Sequence, residues 1–535
     1  MTNRLSISLL LIIGILSVKA AAGQGKTDYT DILKEKFNSY CKMVPREEIY
    51  SQTDRSEYIA GETAWFSLFV INRQTGMASD ISSIVYVELL NSDNRPVVQK
   101  KIKLKNSYGE GELDIPDTLS TGSYTMRAYT SWMKNFLPDN CFSMELKIYN
   151  VLSTKVIPDK ILSRKILPVR PGNDAVNRYN NRDISILTDN SRKDSLSVLI
   201  ITDSLFRSFN RNRFYLFIQT HGIIDLAGSY TSISDTTRLT IAKAGLSCGI
   251  NQITAFGSDG KPVTEKYIYT SKPDDQRFTI RLSENYHTRE RVSLDMDYKA
   301  GSLLKNDSLH LSISVSPFTG RTEQEDIAGY LLFGSEYGPL PHYMINGRKL
   351  NEIPPSSLDS ILSAISSNWI DWSKILESRL PDIRFKPEKE TSYLAGRLLF
   401  NGKQSHDNEI VIMCSPGENA HFQYCRTDST GNFKFITRAD NSEKDLILMP
   451  DNTTDNPSII IDSPFSDIYP VGKRQAEQAV KELPVYIPKW MVNYQVETIY
   501  GSGSFKIPVD TTIVPGDTVG FYGKPDFELI MSDYI

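Results

Sequence analysis

The sequence predicts a mainly β chain of serial β-sandwiches with a short helical segment, on three observations. Apolar and polar side chains alternate at strand spacing along most of the chain. Clusters of Asn, Asp, Gly and Pro separate these stretches, as turns do. Finally, 535 residues of which 40% are hydrophobic can bury several cores, which indicates about three to five domains.

Residues 1–22 have the pattern of a secretory signal peptide. Arg4 precedes an apolar run at residues 9–16, and alanines at 20–22 supply small side chains for cleavage. The first cysteine, Cys41, lies too far on for lipid attachment, and no later stretch has the roughly 18 apolar residues of a membrane-spanning helix. We expect export to the periplasm or to the outer membrane and cell surface. The net charge of −4 gives no reason to expect a nucleic-acid partner.

Residues 23–44 are predicted to hold one amphipathic helix. Apolar side chains recur at helical spacing from Tyr29 to Met43, and the helix should end near Pro45. We expect it to pack beside the sandwich that follows.

Residues 45–151 predict the first β-sandwich. Phe66, Leu68 and Val70 share one face of a strand. Trp65 takes the other face, and its mid-strand position among apolar residues predicts that it is interior. Tyr124 follows Gly122 in a pattern similar to sandwich corners in which a Tyr hydroxyl ties back to nearby backbone.

This stretch resembles a macroglobulin domain. Its landmarks, from Tyr58 through Trp65 and Glu88 to Tyr124 and Tyr129, are similar to the second domain of the alpha-2-macroglobulin family, in the form carried by large secreted envelope proteins of the Bacteroidota. The resemblance implies a macroglobulin-type β-sandwich in the cell envelope. Residues 181–272, predicted as a second β-sandwich, resemble the next domain of the same proteins at Gly249–Phe256.

The next two segments are predicted from periodicity alone. Residues 273–350 should form a third β-sandwich, with strands at 292–296 and 310–315. Residues 351–380 should be helical, because apolar side chains share one helical face. These are Leu358, Ile361, Leu362, Ile365, Trp369 and Trp372.

Residues 390–465 carry a different signature. Asp428 and Gly431 fit a tight turn that leads into a strand on which Phe433 and Phe435 point the same way. The segment resembles the carboxypeptidase regulatory-like domain, a noncatalytic transthyretin-like sandwich. Residues 466–535 stay unassigned, and the sequence stops within the alternating run that starts at Phe527.

The sequence predicts no catalytic, cofactor-binding or metal-binding residues, no cofactor and no enzyme activity. No cysteine has the context of a macroglobulin thioester. His287 and Glu290 with His406 or His421 satisfy the spacing of a zinc carboxypeptidase, but solvated loop residues are the better interpretation. Residues 451–455 are interpreted as a polar loop. Cys414 and Cys425 should lie on one hairpin, with a bridge and free thiols both open.

The resulting hypothesis is a noncatalytic exported envelope protein that binds or scaffolds through tandem macroglobulin-like β-sandwiches. Two alternatives stay open. One is a noncovalent endopeptidase inhibitor of alpha-2-macroglobulin type without a thioester, and the other is a truncated TonB-linked outer-membrane transport component. Expected partners are other envelope proteins or an exported or host protein, a protease among them.

Overall fold

The computed structural model describes residues 28–157, 183–271, 365–389, 392–404, 408–416, 420–437, 446–454 and 456–469, together with Tyr179 and short pieces between 278 and 363 and between 478 and 496. Within these residues the chain is mainly β, in small and mostly antiparallel sheets with a few short helices. The predicted signal peptide at 1–22 lies outside the described residues, and so does most of 466–535.

The first sandwich packs two sheets around one apolar core. A three-stranded sheet has the order β1–β3–β6 and a five-stranded sheet the order β2–β8–β7–β4–β5. The strands are β1 Glu47–Thr53, β2 Glu57–Ile59, β3 Thr63–Asn72, β4 Ile84–Leu90, β5 Pro96–Lys103, β6 Tyr108–Asp114, β7 Gly122–Thr130 and β8 Phe142–Tyr149. Phe66, Leu68 and Val70 fill the core as predicted. The Tyr124 corner is also confirmed, because its hydroxyl donates to the Ser120 carbonyl at 2.9 Å.

Strand β9, Lys155–Val156, belongs to a separate two-stranded sheet and precedes the second sandwich. Its sheets have the orders β10–β11–β14 and β13–β12–β15–β16. The strands are β10 Ile184–Asp189, β11 Ser195–Thr202, β12 Arg213–Thr220, β13 Ile223–Thr231, β14 Thr236–Ala242, β15 Gly249–Phe256 and β16 Pro262–Thr270. Nearly all of β12 is buried, because Phe214 and Leu216 face this core while Tyr215 and Phe217 face a separate one.

Helix α1, Tyr29–Met43, fills that separate core. Asp28 caps it by accepting from the Thr30 N–H at 3.0 Å, and Phe37 lies 5.1 Å from the ring of Phe217. The helix itself is confirmed, but the expectation that it packs beside the first sandwich is wrong. Its apolar stripe meets the aromatic outer face of β12 and β15 instead, because that face offers complementary apolar area.

The predicted third sandwich at 273–350 is only partly described. The strands are β17, Phe278–Arg281, and β18, Asp295–Tyr298, which pair with each other. Residues 310–314 are described without strand pairing. Helix α2 spans Ile327–Tyr337 and is interrupted at Gly334. The prediction that residues 273–350 form only a β-sandwich is therefore wrong. Gly334 has a φ of +55°, and a Cβ there would lie 2.5 Å from a Glu48 carboxylate oxygen.

A single helix across 351–380 is also wrong. Leu358, Ile361 and Leu362 are helical, residues 365–371 are extended or bent, and α3 spans Trp372–Leu376. The chain changes direction because its two apolar groups serve different cores. Leu358 and Ile361 pack with Tyr267 of β16, whereas Trp369 and Trp372 pack against α1.

The C-terminal sandwich has sheets ordered β20–β19–β23, with β25 also paired to β19, and β22–β21–β24. Its strands are β19 Ser392–Phe400, β20 Lys403–Gln404, β21 Ile410–Ser415, β22 His421–Arg426, β23 Asn432–Thr437, β24 Ile447–Pro450 and β25 Pro457–Ile461, and Gln478–Ala479 later pairs with β9 as β26. The predicted turn is confirmed, since Asp428 Oδ1 accepts from the Asn432 N–H at 2.9 Å. Phe433 and Phe435 are both buried.

Candidate binding groove on the first sandwich

The outer face of the three-stranded sheet is covered at one end and open at the other. At the covered end Tyr50 lies 5.6 Å from the ring of Tyr330, and Tyr108 stacks on His310 at 4.8 Å. At the open end Trp65 stands directly opposite Glu112 and Ser67 opposite Glu110. The open end therefore presents an indole beside carboxylates.

Trp65 is 56% exposed, so the prediction that it is interior is wrong. Its neighbours Ala64 and Phe66 point into the core, and alternation places Trp65 on the outer face. Nothing among the described residues lies over that end of the sheet deeply enough to bury the ring. Apolar residues lie on both faces of β3, and that pattern alone predicts that both faces are buried.

The backbone beneath Trp65 is held in place by Asp54. One carboxylate oxygen, Oδ1, accepts from the Trp65 N–H at 3.0 Å and from the Tyr58 hydroxyl at 2.6 Å. Arg55 donates to the other oxygen at 3.2 Å and also pairs with the buried Glu62. Asp54 is thus a fully engaged structural acceptor, and the indole sits on a rigid strand.

A groove of about 530 Å³ runs past this indole. Residues 312–314 form its far wall, and they are tethered to the sheet by two hydrogen bonds. Ser312 donates to Ser67 at 3.1 Å and Gln52 donates to Ser314 at 3.2 Å. The groove combines one large aromatic surface with hydroxyl, amide and carboxylate groups, which can stack against and hydrogen-bond to a polar ligand.

A buried charge cluster braces the sheet that carries the groove. Glu336 accepts from Arg73 at 3.1 Å and from Ser367 at 2.9 Å, and lies 2.9 Å from His221 Nδ1. Arg73 belongs to the first sandwich, Ser367 to the segment at residues 365–371, and His221 to the second sandwich. Burial alone would raise the pKa of Glu336, but the hydrogen bond and charge of His221 and the charge of Arg73 lower it to about 2. The ionised carboxylate therefore ties three parts of the molecule together.

Glu48 extends this cluster from β1. It accepts from the Ser335 N–H at 2.9 Å, the Ser335 hydroxyl at 3.0 Å and the Tyr330 hydroxyl at 3.0 Å. Arg46, the neighbour of β1, donates to Asn368 at 2.7 Å. These contacts fix the segment that covers one end of the outer face, so the boundary of the open groove is set by buried hydrogen bonds.

The outer face of the five-stranded sheet is closed by later parts of the chain. Glu88 and Arg127 form a fully buried ion pair, and Tyr129 donates to the same carboxylate at 2.9 Å. Arg127 also donates to the carbonyls of Ser466 and Ile468, at 2.7 and 2.8 Å. Among the described residues, this face is thus covered by the chain itself, whereas the end of the other sheet at Trp65 is open.

The described residues among those with zinc-carboxypeptidase spacing, His287, Glu290 and His421, belong to no metal-binding group. His287 and Glu290 are exposed, and the His287 N–H donates to the Glu290 carboxylate at 2.6 Å. His421 lies on β22 of the C-terminal sandwich, and His406 lies outside the described residues. Within the described ranges no three His, Cys, Asp or Glu side chains are placed to hold a metal ion.

The two cysteines of the predicted hairpin and the polar loop are the remaining sequence candidates. Cys414 and Cys425 lie on paired strands but are free. Cys414 stands opposite Phe422 and Cys425 opposite Val411, so the two thiols point to opposite faces and cannot bridge. In the described part of the predicted polar loop, residues 451–454, Asn452 Oδ1 accepts from the Thr454 N–H at 2.9 Å, as in an ordinary Asx turn.

Known structures overlap this chain only distantly. A Salmonella alpha-2-macroglobulin reacted with methylamine shows 11% identity and a TM-score of 0.17, covering 80% of this chain and 30% of its own length. Trypsin-activated alpha-2-macroglobulin from Escherichia coli shows 8% identity and a TM-score of 0.16, and the overlap covers 78% of this chain and 23% of that protein. An Escherichia coli adhesin shows 12% identity and a TM-score of 0.15, and the overlap covers 40% of this chain and 62% of the adhesin chain. This chain therefore spans less than a third of the Salmonella protein that it overlaps.

Comparisons at the level of sequence find no relative. No family model matches the chain, and none of the curated proteins does. Among the described residues, no helix is both long and apolar enough to cross a membrane.

Proposed function

We propose that this chain is a noncatalytic, exported envelope protein that binds another protein through the groove beside Trp65. One observation carries the proposal. A tryptophan that is more than half exposed stands near the start of a braced strand, opposite the carboxylate Glu112 and beside Glu110. Exposed tryptophans on rigid surfaces are frequent centres of binding energy in protein complexes.

The rest of the architecture supports a scaffolding role for the same chain. The buried cluster around Glu336 joins the two sandwiches through contacts that are almost completely shielded from water. A ligand held at Trp65 therefore meets a preorganised surface, which lowers the conformational entropy lost on binding. Export and an envelope location rest on the signal-peptide pattern of residues 1–22.

The test compares three immobilised proteins in an envelope extract: the unchanged chain, Trp65→Ala and Lys103→Ala. Lys103 is exposed on the other sheet of the same sandwich, so it controls for general surface changes. We expect a partner that the unchanged chain and Lys103→Ala both recover and Trp65→Ala loses, with all three proteins melting alike. Identical recovery by all three would contradict the proposal.

The same proteins test the inhibitor alternative. The purified chain is incubated with a panel of endopeptidases, and residual cleavage of a protein substrate is measured. Inhibition that Trp65→Ala abolishes would make the groove an inhibitory surface, whereas inhibition that survives Trp65→Ala would place it elsewhere. For the third hypothesis, sequencing the downstream DNA for a frameshifted plug or barrel decides whether the chain is a truncated transport component.

A further inference from the structure

Strand β6 of the first sandwich carries a row of carboxylates beside the exposed indole of Trp65. Glu110, Glu112 and Asp114 occupy alternate positions of this strand, and Glu112 stands directly opposite Trp65. Because alternate residues of a strand point to the same side of the sheet, all three carboxylates share the outer face with the indole. The open end of this sheet is therefore both aromatic and acidic.

The charge of this row is only partly neutralised by the chain itself. The amine of Lys100 lies 3.2 Å from Asp114 and 3.6 Å from Glu112. Glu110 is exposed, lines the groove and forms no ion pair with any residue that the structure describes. Asp54, the other carboxylate in the groove lining, is already engaged by its own neighbours. The unpaired negative charge therefore lies at Glu110, next to the indole.

We infer that the groove binds an extended segment of a partner protein that carries two arginines at alternate positions, an inference that rests on the proposed binding at Trp65. A guanidinium over the face of an indole is attracted by the quadrupole of the ring. Its planar N–H donors can pair with a carboxylate beside the ring at the same time, which the compact ammonium of a lysine cannot do as well. One arginine thus stacks on Trp65 next to Glu112, and the other pairs with Glu110.

The spacing of the carboxylates sets the spacing of the arginines. The pair Trp65 and Glu112 and the pair Ser67 and Glu110 form successive rows on the outer face. Such rows repeat at about 7 Å, twice the rise of a strand per residue. Alternate side chains of an extended segment repeat at the same distance, so an Arg-x-Arg segment lying along β3 places one cation at each row.

The far wall of the groove suits the aliphatic part of an arginine. Ile313 lines the groove and is 57% exposed, and arginine buries its methylene groups along such apolar surface while its charged end stays polar. Ser312 and Ser314 on either side are hydrogen-bonded to Ser67 and Gln52 of the sheet. The wall is therefore in place before a ligand arrives, which lowers the entropy lost on binding.

The test measures the affinity of the full chain for a fluorescein-labelled peptide, Gly-Ser-Arg-Ser-Arg-Ser-Gly, by fluorescence anisotropy at low salt. Two control peptides carry lysine, or the neutral analogue citrulline, in place of both arginines. We expect the arginine peptide to bind about fivefold or more tightly than the citrulline peptide, with the lysine peptide between them. Equal affinity for the arginine peptide and either control peptide would overturn the inference.

Variants of the chain then locate the binding. Trp65→Ala, and Glu110→Gln combined with Glu112→Gln, should each weaken binding of the arginine peptide by about fivefold. The matched control combines Glu35→Gln with Glu377→Gln, which removes the same charge from exposed positions on α1 and just after α3, and its affinity should stay unchanged. An equal loss in this control would show a response to net charge alone and would overturn the inference.

Recovery from the envelope extract separates this inference from the proposed function on which it rests. We expect the partner to be lost both by Trp65→Ala and by Glu110→Gln combined with Glu112→Gln. A partner that Trp65→Ala loses but the two glutamine changes retain would overturn the arginine inference and leave the proposed function intact. A partner that Trp65→Ala still recovers would overturn both.

Discussion

The two outer faces of the first sandwich differ in a way that hydrophobicity alone does not explain. On the five-stranded sheet a charged pair, Glu88 and Arg127, is buried beneath the chain at Ser466. On the three-stranded sheet Trp65 stands in solvent. The difference lies in which later segments of the chain cover each face. The face at Arg127 is used for packing within the protein, whereas the face at Trp65 is open among the described residues.

The largest expected effect comes from breaking the closed face. Arg127→Ala leaves Glu88 buried without its cation, and we expect a loss of about 3 to 5 kcal/mol, measured as a marked fall in the melting temperature of the full chain. Lys100→Ala is the matched control, because the ion pairs of Lys100 with Glu112 and Asp114 are partly exposed to solvent. Its loss should be about 0 to 1 kcal/mol. Similar melting of the two variants would show that the closed face is not energetically important.

Lys134 provides a pH-dependent test of the same closed face. Burial lowers its pKa to about 8, against the opposing charge of Glu388, and its amine donates to the Pro464 carbonyl. The unfolded chain, with an ordinary lysine pKa, binds more protons between about pH 8 and 10.5, so this residue should make stability rise with pH across that window. We expect the melting temperature of the unchanged chain to rise relative to that of Lys134→Met from pH 8 to pH 10. A constant difference would contradict the burial of Lys134.

Periodicity predicted the relation of a side chain to its own element. The spacing of Leu33 and Phe37 gave a correct helix, and Phe433 and Phe435 were correctly placed on one face of β23. In each case the signal is local, because neighbouring turns or alternate residues decide it.

What covers an outer face depends on segments that are distant in sequence. Arg73 and its partner Glu336 are 263 residues apart, and Arg127 and Ser466 are 339 apart. No local sequence pattern predicts these long-range contacts. The placement of α1 on the second sandwich and the exposure of Trp65 could not be predicted for the same reason, and neither could the groove beside Trp65.

A smaller effect is expected within the sandwich at Tyr124. Its hydroxyl donates to the buried Ser120 carbonyl, so Tyr124→Phe leaves that carbonyl without this donor and should cost about 1 kcal/mol. Tyr424→Phe removes a hydroxyl from a side chain that is mostly exposed and serves as the control. Chemical denaturation of the full chain compares the two. Equal midpoints would mean that the corner tie contributes no stability.

The smallest change in stability, and the most direct test of the account, is expected at the open face. Trp65→Ala and Phe66→Ala alter adjacent residues of β3, one exposed and one buried. Phe66→Ala should lose about 3 to 5 kcal/mol, because it leaves a cavity in the core. Trp65→Ala should melt within about 1 kcal/mol of the unchanged chain and yet lose its envelope partner. A large loss of stability in Trp65→Ala, or partner recovery equal to that of the unchanged chain, would contradict the claim that the open face is the binding surface.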